Sequence, residues 1–283
     1  NLKVYPEGQP GQAVSIAGKW HYKPLAELKN GMFYVYGKGE KAYTQRPPVA
    51  LTLDAYTPTL LYNAMIHPLV PFRIQGAIWY QGESNTGKPR QYAELFPLMI
   101  QSWRDAWQQG PFPFYYVQIA PFAYGPDNES AALRDAQRQT LALENTGMVV
   151  TTDIGNPNNI HPANKQDVGK RLALWALAKT YQQEGVDYSG PLYDKMEVNG
   201  NKARVYFKHA DSLYTTGKEL ETFEIAGKNG KFLPAKAKIE NNTVVVWHDK
   251  VAQPVAVRMG WENTAAPKLF NAAKLPASPF LAE

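Results

Sequence analysis

The sequence predicts an α/β fold in which a parallel sheet is covered by helices on both faces. Three apolar runs have the composition of strands buried on both faces: 74–80, 113–119 and 147–153. Each is followed by a stretch whose apolar residues recur at helical spacing: 90–108, 129–144 and 163–183. This alternation implies right-handed crossovers and parallel strands. Reactive groups are therefore expected just beyond the carboxyl ends of the three strands.

Short β-favouring runs separated by turns occupy the two ends of the chain. We predict three parts: a β-rich accessory segment at 1–50, an α/β region at 51–188, and a small antiparallel β domain at 189–283. In the last part, runs such as 243–247 alternate with turns of the Asn-Gly type, for example at 199–201.

Composition excludes several classes of function. Among 283 residues, 30 Lys and Arg stand against 25 Asp and Glu, and the basic residues are scattered, so a nucleic-acid partner is not predicted. No run approaches the ~20 apolar residues that cross a bilayer, so no membrane partner is expected. Cysteine is absent, which rules out thiol nucleophiles and thiolate metal ligands. No metal site is predicted, because no histidines or carboxylates cluster at metal-ligand spacing.

A glycine-containing segment directly follows the first predicted strand. Gly82 permits a sharp turn that exposes a backbone N–H, and the amides of Gln81 and Asn85 add neutral donors beside it. Such donors stabilise a developing oxyanion, each by about 3 kcal/mol. The alternative is an ordinary strand-ending turn in which these amides bond to backbone.

A second polar segment, 153–162, follows the third strand and contains His161. A histidine there titrates near neutrality and is suited to accept a proton from a nucleophile. The alternatives are that His161 caps the next helix or simply faces solvent. Glu83 and Asp153 also stand at strand ends, so a glycosidase with paired carboxylates remains open.

Ser84 is not predicted to be a nucleophile. It lies in the sequence Gly-Glu-Ser-Asn-Thr, where Thr86 occupies the place of the second glycine in the G-x-S-x-G elbow.

Several stretches, in the same order, resemble the sialate O-acetylesterase family, a branch of the SGNH hydrolases that act on acetylated sugars. The resembling stretches are 61–69, 76–85, 133–137, 153–155, 160–172 and 275–280. The resemblance implies an SGNH-type three-layer core, which would be partial here, and removal of O-acetyl groups from sialic acid or xylan-type polysaccharides. It also implies secretion or a periplasmic location, and no metal or organic cofactor.

The resemblance further implies site roles. His161 corresponds to the general base, Gln81 and Gly82 to the oxyanion side, and Glu83 and Arg134 to buried or pocket-lining partners. The family's acid lies three residues before the histidine, where this sequence has Asn158. Asp153 is therefore the first candidate for the acid. An orienting asparagine or a serine–histidine dyad are the alternatives.

The family's serine belongs to an N-terminal Gly-Gln-Ser-Asn-Met-like block, and none of the seven serines has that context. We therefore expect a nucleophile outside this chain, supplied by an N-terminal segment of the same enzyme as a separate or missing partner. The start at Asn1 is interpreted as a processed or truncated end, and 1–50 as the tail of an inserted domain. A carbohydrate-binding protein without catalysis, using aromatic surfaces on its β segments, is the alternative.

Overall fold

The computed structural model describes residues 3–4, 7–19, 26–29, 32–35, 50–51, 56–125, 129–217 and 219–283. The chain divides into two compact units, residues 1–71 and 72–283. The described residues of the first unit contain five short antiparallel strands: β1 (Lys3–Val4), β2 (Val14–Ser15), β3 (Ala26–Lys29), β4 (Met32–Val35) and β5 (Ala50–Leu51). The aromatic run at 32–35 forms a strand, as its composition predicts. The Arg-Pro-Pro run at 46–48, whose composition predicts a linker, lies outside the described residues.

The first unit ends in irregular helix. A π-helical turn at Tyr62–Ile66 leads into a 3₁₀ turn at His67–Leu69. The sequence of 58–66 is typical of a short helix stopped by Pro68, which cannot donate a backbone hydrogen bond to the preceding turn.

The second unit begins with a three-stranded parallel sheet. Its strands are β6 (Ala77–Tyr80), β7 (Phe114–Val117) and β8 (Thr146–Val149), in that spatial order. The helices that alternate with them are α1 (Pro89–Trp107), α2 (Glu129–Gln139) and α3 (Lys165–Trp175). The predicted fold class, a parallel α/β core with β-rich segments on either side, is confirmed.

Alternate side chains of β7 show why this sheet has two covered faces. Phe114 and Tyr116 contact the ring of Phe96 on α1, with centroids 6.3 and 4.9 Å apart. Tyr115, between them, faces the other way and packs on Trp175 of α3. A strand buried on both faces needs apolar residues at every position, which is the pattern the sequence showed.

Two of the predicted helices end differently from expectation. The second stops at Gln139 and continues as a 3₁₀ turn over Thr140–Ala142, since the chain must turn back into β8. The Thr146 hydroxyl donates to the carbonyl of Leu143 over 2.6 Å and closes this turn. The third ends in a π-helical turn at Ala176–Thr180.

The C-terminal region forms two four-stranded antiparallel sheets and one two-stranded ribbon. The first sheet contains β9 (Leu192–Asn199), β10 (Lys202–Lys208), β14 (Lys236–Glu240) and β15 (Thr243–Trp247). The second contains β12 (Phe223–Gly227), β13 (Phe232–Pro234), β16 (Pro254–Met259) and β18 (Phe280–Ala282), and the ribbon contains β11 (Tyr214–Thr215) and β17 (Leu269–Phe270). Both sheets contribute to one core that includes Val244, Phe223 and Phe280, all fully buried.

Buried polar contacts join this β region to α2. Asp135 Oδ1 accepts from the backbone N–H of Leu281 over 3.2 Å, and Gln118 Nε2 donates to Ser278 Oγ over 3.0 Å. The domain boundaries at 50/51 and 188/189 stay predictions. No helix in the described ranges is both long and apolar enough to cross a membrane.

Candidate active site

The loops that follow the three parallel strands meet at one edge of the sheet. The backbone N–H of Ala123, after β7, donates to the carbonyl of Pro157, after β8, over 3.0 Å. At the start of α3, the ammonium of Lys165 lies 4.8 Å from the ring centroid of Tyr80, the last residue of β6. The carboxyl ends of parallel strands are where α/β proteins place their ligands.

Gly82 makes the turn after β6. Its φ of 149° lies in a region that favours glycine, and a Cβ built there would stand 2.7 Å from Cγ2 of Ile119. The 3₁₀ turn Glu83–Asn85 follows directly. A side chain at position 82 would therefore have to displace either the turn or the end of β7.

Gln137 of α2 holds this turn against the sheet, a role the sequence analysis did not assign. Its fully buried amide nitrogen lies 3.3 Å from the carbonyl oxygens of both Gln81 and Val117, and its Oε1 accepts from the N–H of Ile119 over 2.9 Å. One side chain thus fixes the ends of β6 and β7 relative to each other. The sequence held one indication of this role: Gln137 is a polar residue on the apolar face of the helix predicted at 129–144.

The two amide side chains of the turn bond to each other. Gln81 Nε2 donates to Asn85 Oδ1 over 2.6 Å, while the Gln81 carbonyl accepts from the hydroxyl of Tyr92. The pairing uses the acceptor of Asn85 and leaves its two N–H groups to donate elsewhere. Among the described residues, neither amide side chain bonds to backbone as it would in an ordinary strand-ending turn.

Glu83 lies among three tyrosines. Burial, with a smaller contribution from the negative charge of Glu83, raises the pKa of Tyr80 and the pKa of Tyr92 each to about 12. Burial also raises the pKa of Tyr124, again with Glu83 contributing. These phenols stay protonated at neutral pH and can donate hydrogen bonds at this edge.

Arg134 is completely buried and supports the structure behind the site. Its guanidinium donates to the backbone carbonyl of Glu262, and it lies 3.4 Å from Ser130 Oγ. Burial lowers the pKa of Arg134 to about 10, partly offset by Tyr124 and Glu262, so it remains charged at neutral pH. Its contacts tie α2 to the β region.

His161 lies on the exposed loop before α3 and does not cap that helix. The cap is Asn164, whose Oδ1 accepts from the N–H of Asp167 over 3.1 Å. Only the backbone N–H of His161 is bonded, to Oδ1 of Asn159 over 2.9 Å, and its imidazole has no hydrogen-bond partner in the part of the chain that the structure describes. The ring is therefore accessible and available for proton transfer.

Asp153, the first candidate for the acid, is bonded to Arg171. The guanidinium reaches both carboxylate oxygens, over 2.7 and 2.5 Å, and also donates to the carbonyl of Val150 over 2.6 Å. Across the described ranges, no hydrogen bond joins Asp153 to His161. The ion pair between Asp153 and Arg171 fixes the start of the loop after β8 to α3. The role of Asp153 as the acid stays a prediction.

The serines are placed as follows. Ser84 is exposed in the 3₁₀ turn, whereas Ser130, Ser189 and Ser278 are buried and bonded within the protein. Within the described residues, no group of three or more histidines or carboxylates is placed to hold a metal ion.

Comparison with known proteins gives consistent matches. A family model described as carbohydrate esterase, sialic acid-specific acetylesterase, matches residues 52–178. Sialate O-acetylesterase of Homo sapiens is 29% identical over 301 residues, covering 94% of this chain and 56% of the human protein. The Rattus norvegicus enzyme is 30% identical over 256 residues, covering 80% and 47%. A carbohydrate acetylesterase structure from Xanthomonas citri matches with a TM-score of 0.75 and 44% identity, covering 80% of this chain and 54% of that one.

The parallel sheet and the loops gathered at its carboxyl edge are those of an SGNH-type α/β core. The chain belongs to the sialate O-acetylesterase-like family of carbohydrate esterases. It spans about half the length of the curated relatives it matches.

Proposed function

We propose that this chain is the part of a carbohydrate O-acetylesterase that supplies the general base and the oxyanion donors. The observation that carries the proposal is the approach of the start of α3 to the end of β6, where the ammonium of Lys165 lies 4.8 Å from the ring centroid of Tyr80. His161 is four residues before Lys165, and its imidazole has no hydrogen-bond partner among the described residues, while the turn at Gly82 directly follows β6. The family match supplies the reaction class.

In the proposed mechanism, a serine hydroxyl from a preceding segment attacks the acetyl carbonyl while His161 takes its proton. The backbone N–H of Gly82 and the side-chain amide N–H groups of Asn85 stabilise the oxyanion. The sugar alkoxide leaves with the proton from His161, and the acetyl group remains on the serine. Water then attacks this ester while His161 accepts its proton, and His161 returns that proton to the serine oxygen as the acyl–oxygen bond breaks and acetate is released.

Asp153 is our candidate for the acid that supports His161. To reach the imidazole it would have to release Arg171, which now holds both of its oxygens. A serine–histidine dyad needs no such exchange, and the steps above proceed with either arrangement.

We propose that the nucleophilic serine lies at the end of a further strand that pairs with β6. Among the described strands, β6 has a neighbour on one side only, and Ile78 within it is 70% exposed. The opposite edge strand, β8, is largely buried. Parallel sheets are normally covered, so the β6 edge is suited to receive a further strand.

The proposed substrates are O-acetylated sugars, either sialic acids or xylan-type polysaccharides. The Homo sapiens and Rattus norvegicus relatives are named for the first of these. We further propose that the enzyme is secreted or periplasmic and acts in polysaccharide degradation, because such substrates lie outside the cytoplasm.

The test is acetate release by the protein produced together with the segment that precedes it in its gene. We expect turnover of 4-nitrophenyl acetate and of an acetylated xylan or an O-acetylated sialic acid. Residues 1–283 alone should release acetate no faster than buffer, because they lack the nucleophile. Equal turnover by residues 1–283 alone would contradict a split site, that is, a site whose serine lies outside these residues. No turnover by the chain alone or by the longer protein would contradict the esterase proposal.

A further inference from the structure

The C-terminal β region carries a groove that the proposed reaction does not use. It has a volume of about 730 Å³ and runs along β14 and the end of β15. Ligand sites in proteins usually measure roughly 300–1,000 Å³ and combine an apolar floor with a few polar groups. The apolar part of this groove includes Leu220, Pro234 and Ile239. The candidate active site at the carboxyl ends of β6, β7 and β8, called the strand-edge site below, contributes no residue to this groove.

Trp247 gives the groove an aromatic wall. The preceding residue, Val246, is buried in the core between the two sheets, so Trp247 lies on the outer face of its sheet. Its ring is half-buried and is held by Lys202, whose ammonium lies 5.3 Å from the ring centroid. An indole fixed in this way offers a flat surface on which the apolar face of a sugar ring can pack.

His248, beside it, is fixed as a hydrogen-bond donor. Its Nδ1 accepts from the backbone N–H of Lys250 over 3.0 Å. In the neutral imidazole, the proton is then on Nε2, which can donate to a hydroxyl group. The groove thus combines a flat aromatic surface with a directed donor.

The charges of the groove favour an uncharged ligand. Lys236 pairs with Asp249 over 3.1 Å, and Lys238 lies 3.9 Å from Glu240, whose other oxygen pairs with Arg204 over 3.1 Å. Within the described ranges, the exposed carboxylates of Glu219 and Glu221 have no ion-pair partner. The described lining therefore has more carboxylates than lysines, and two acceptors remain free. An anionic sugar would be repelled, but a neutral ligand with many hydroxyl groups would find acceptors on one side and a donor on the other.

We propose that this groove binds a neutral carbohydrate chain, separately from the strand-edge site. Trp247 stacks on one sugar ring, His248 donates to a hydroxyl group, and the carboxylates of Glu219 and Glu221 accept hydrogen bonds from others. Binding involves no ester cleavage and does not depend on the serine. A groove of this kind would keep the protein on its polymer while the strand-edge site acts on acetyl groups.

The test is a titration of residues 1–283 with unacetylated xylohexaose, in which binding is measured by tryptophan fluorescence and by calorimetry. Sialyllactose is the anionic comparison. We expect a dissociation constant of about 1 mM or tighter for xylohexaose and no measurable binding of sialyllactose. Trp247→Ala should weaken binding by about tenfold or more. Glu221→Gln should weaken it several-fold with the melting temperature unchanged, which keeps the test valid if the Trp247 variant folds poorly. Glu197→Gln, an exposed carboxylate of β9 outside the groove, is the matched control and should bind like the parent.

Several outcomes would overturn the proposal. They are absence of xylohexaose binding, stronger binding of sialyllactose, or unchanged affinity in folded Trp247→Ala and Glu221→Gln. Because the probe has no acetyl group and the chain is tested alone, failure here would leave the esterase proposal unaffected. Conversely, an inactive strand-edge site would not affect binding.

Discussion

Replacing His161 by alanine is expected to reduce kcat of the complete enzyme on an acetylated substrate by on the order of 10⁴-fold or more. The imidazole is the proposed proton acceptor in both acyl-transfer steps, and no other histidine lies in the segments that follow the parallel strands β6, β7 and β8. Stability should be unchanged, because the ring is exposed and has no hydrogen-bond partner among the described residues. The measurement is initial-rate kinetics together with thermal unfolding of each variant.

His67→Ala is the matched control for this prediction. It also removes an exposed imidazole, but one that lies in the 3₁₀ turn His67–Leu69, outside the loops that follow β6, β7 and β8. The control should retain the parent rate on the same substrate. Turnover in His161→Ala equal to that of the parent would remove His161 from the mechanism.

Gly82→Ala is expected to have the second largest effect. The new Cβ would lie 2.7 Å from Ile119 Cγ2, at a backbone φ of 149° that alanine rarely adopts. The turn must therefore shift, which should lower kcat about 10²-fold or more because the oxyanion donors move with it. The free energy of unfolding should fall by about 1–3 kcal/mol. Kinetics at a temperature where both proteins are folded separates the two effects.

Gly87→Ala, five residues further along the same loop, is the control. The nearest atom to a Cβ at that position is Glu129 Oε2 at 3.6 Å, an ordinary contact, so rate and stability should stay close to those of the parent. If Gly82→Ala kept the parent kcat, the turn would not hold the oxyanion donors.

The parallel core could be predicted because its strands are buried on both faces and leave continuous apolar runs in the sequence. The charged strand β9, Leu192–Asn199, and the lysine-rich strand β14, Lys236–Glu240, were missed. Most side chains of these two strands are exposed or half-exposed. Their pairing is set by the neighbouring strands β10 and β15, which local composition does not reveal.

For the site, sequence position indicated which loops matter, because glycine and histidine follow the ends of parallel strands. Side-chain partners could not be predicted in the same way. The bonds from Gln137 to the ends of β6 and β7 depend on how α2 packs on the sheet, and Gln137 lies 56 residues further along the chain than Gln81. Likewise, nothing in the local sequence showed that Arg171 would bind both oxygens of Asp153.

The most direct test of the split site is to locate the nucleophile itself. The complete protein would be treated with a fluorophosphonate, which reacts with an activated serine, and the labelled peptide identified by mass spectrometry. We expect one adduct, on a serine that precedes residue 1, and its loss in His161→Ala. An adduct on Ser84, or on any other serine of residues 1–283, would show that the attacking hydroxyl belongs to this chain and would contradict the account.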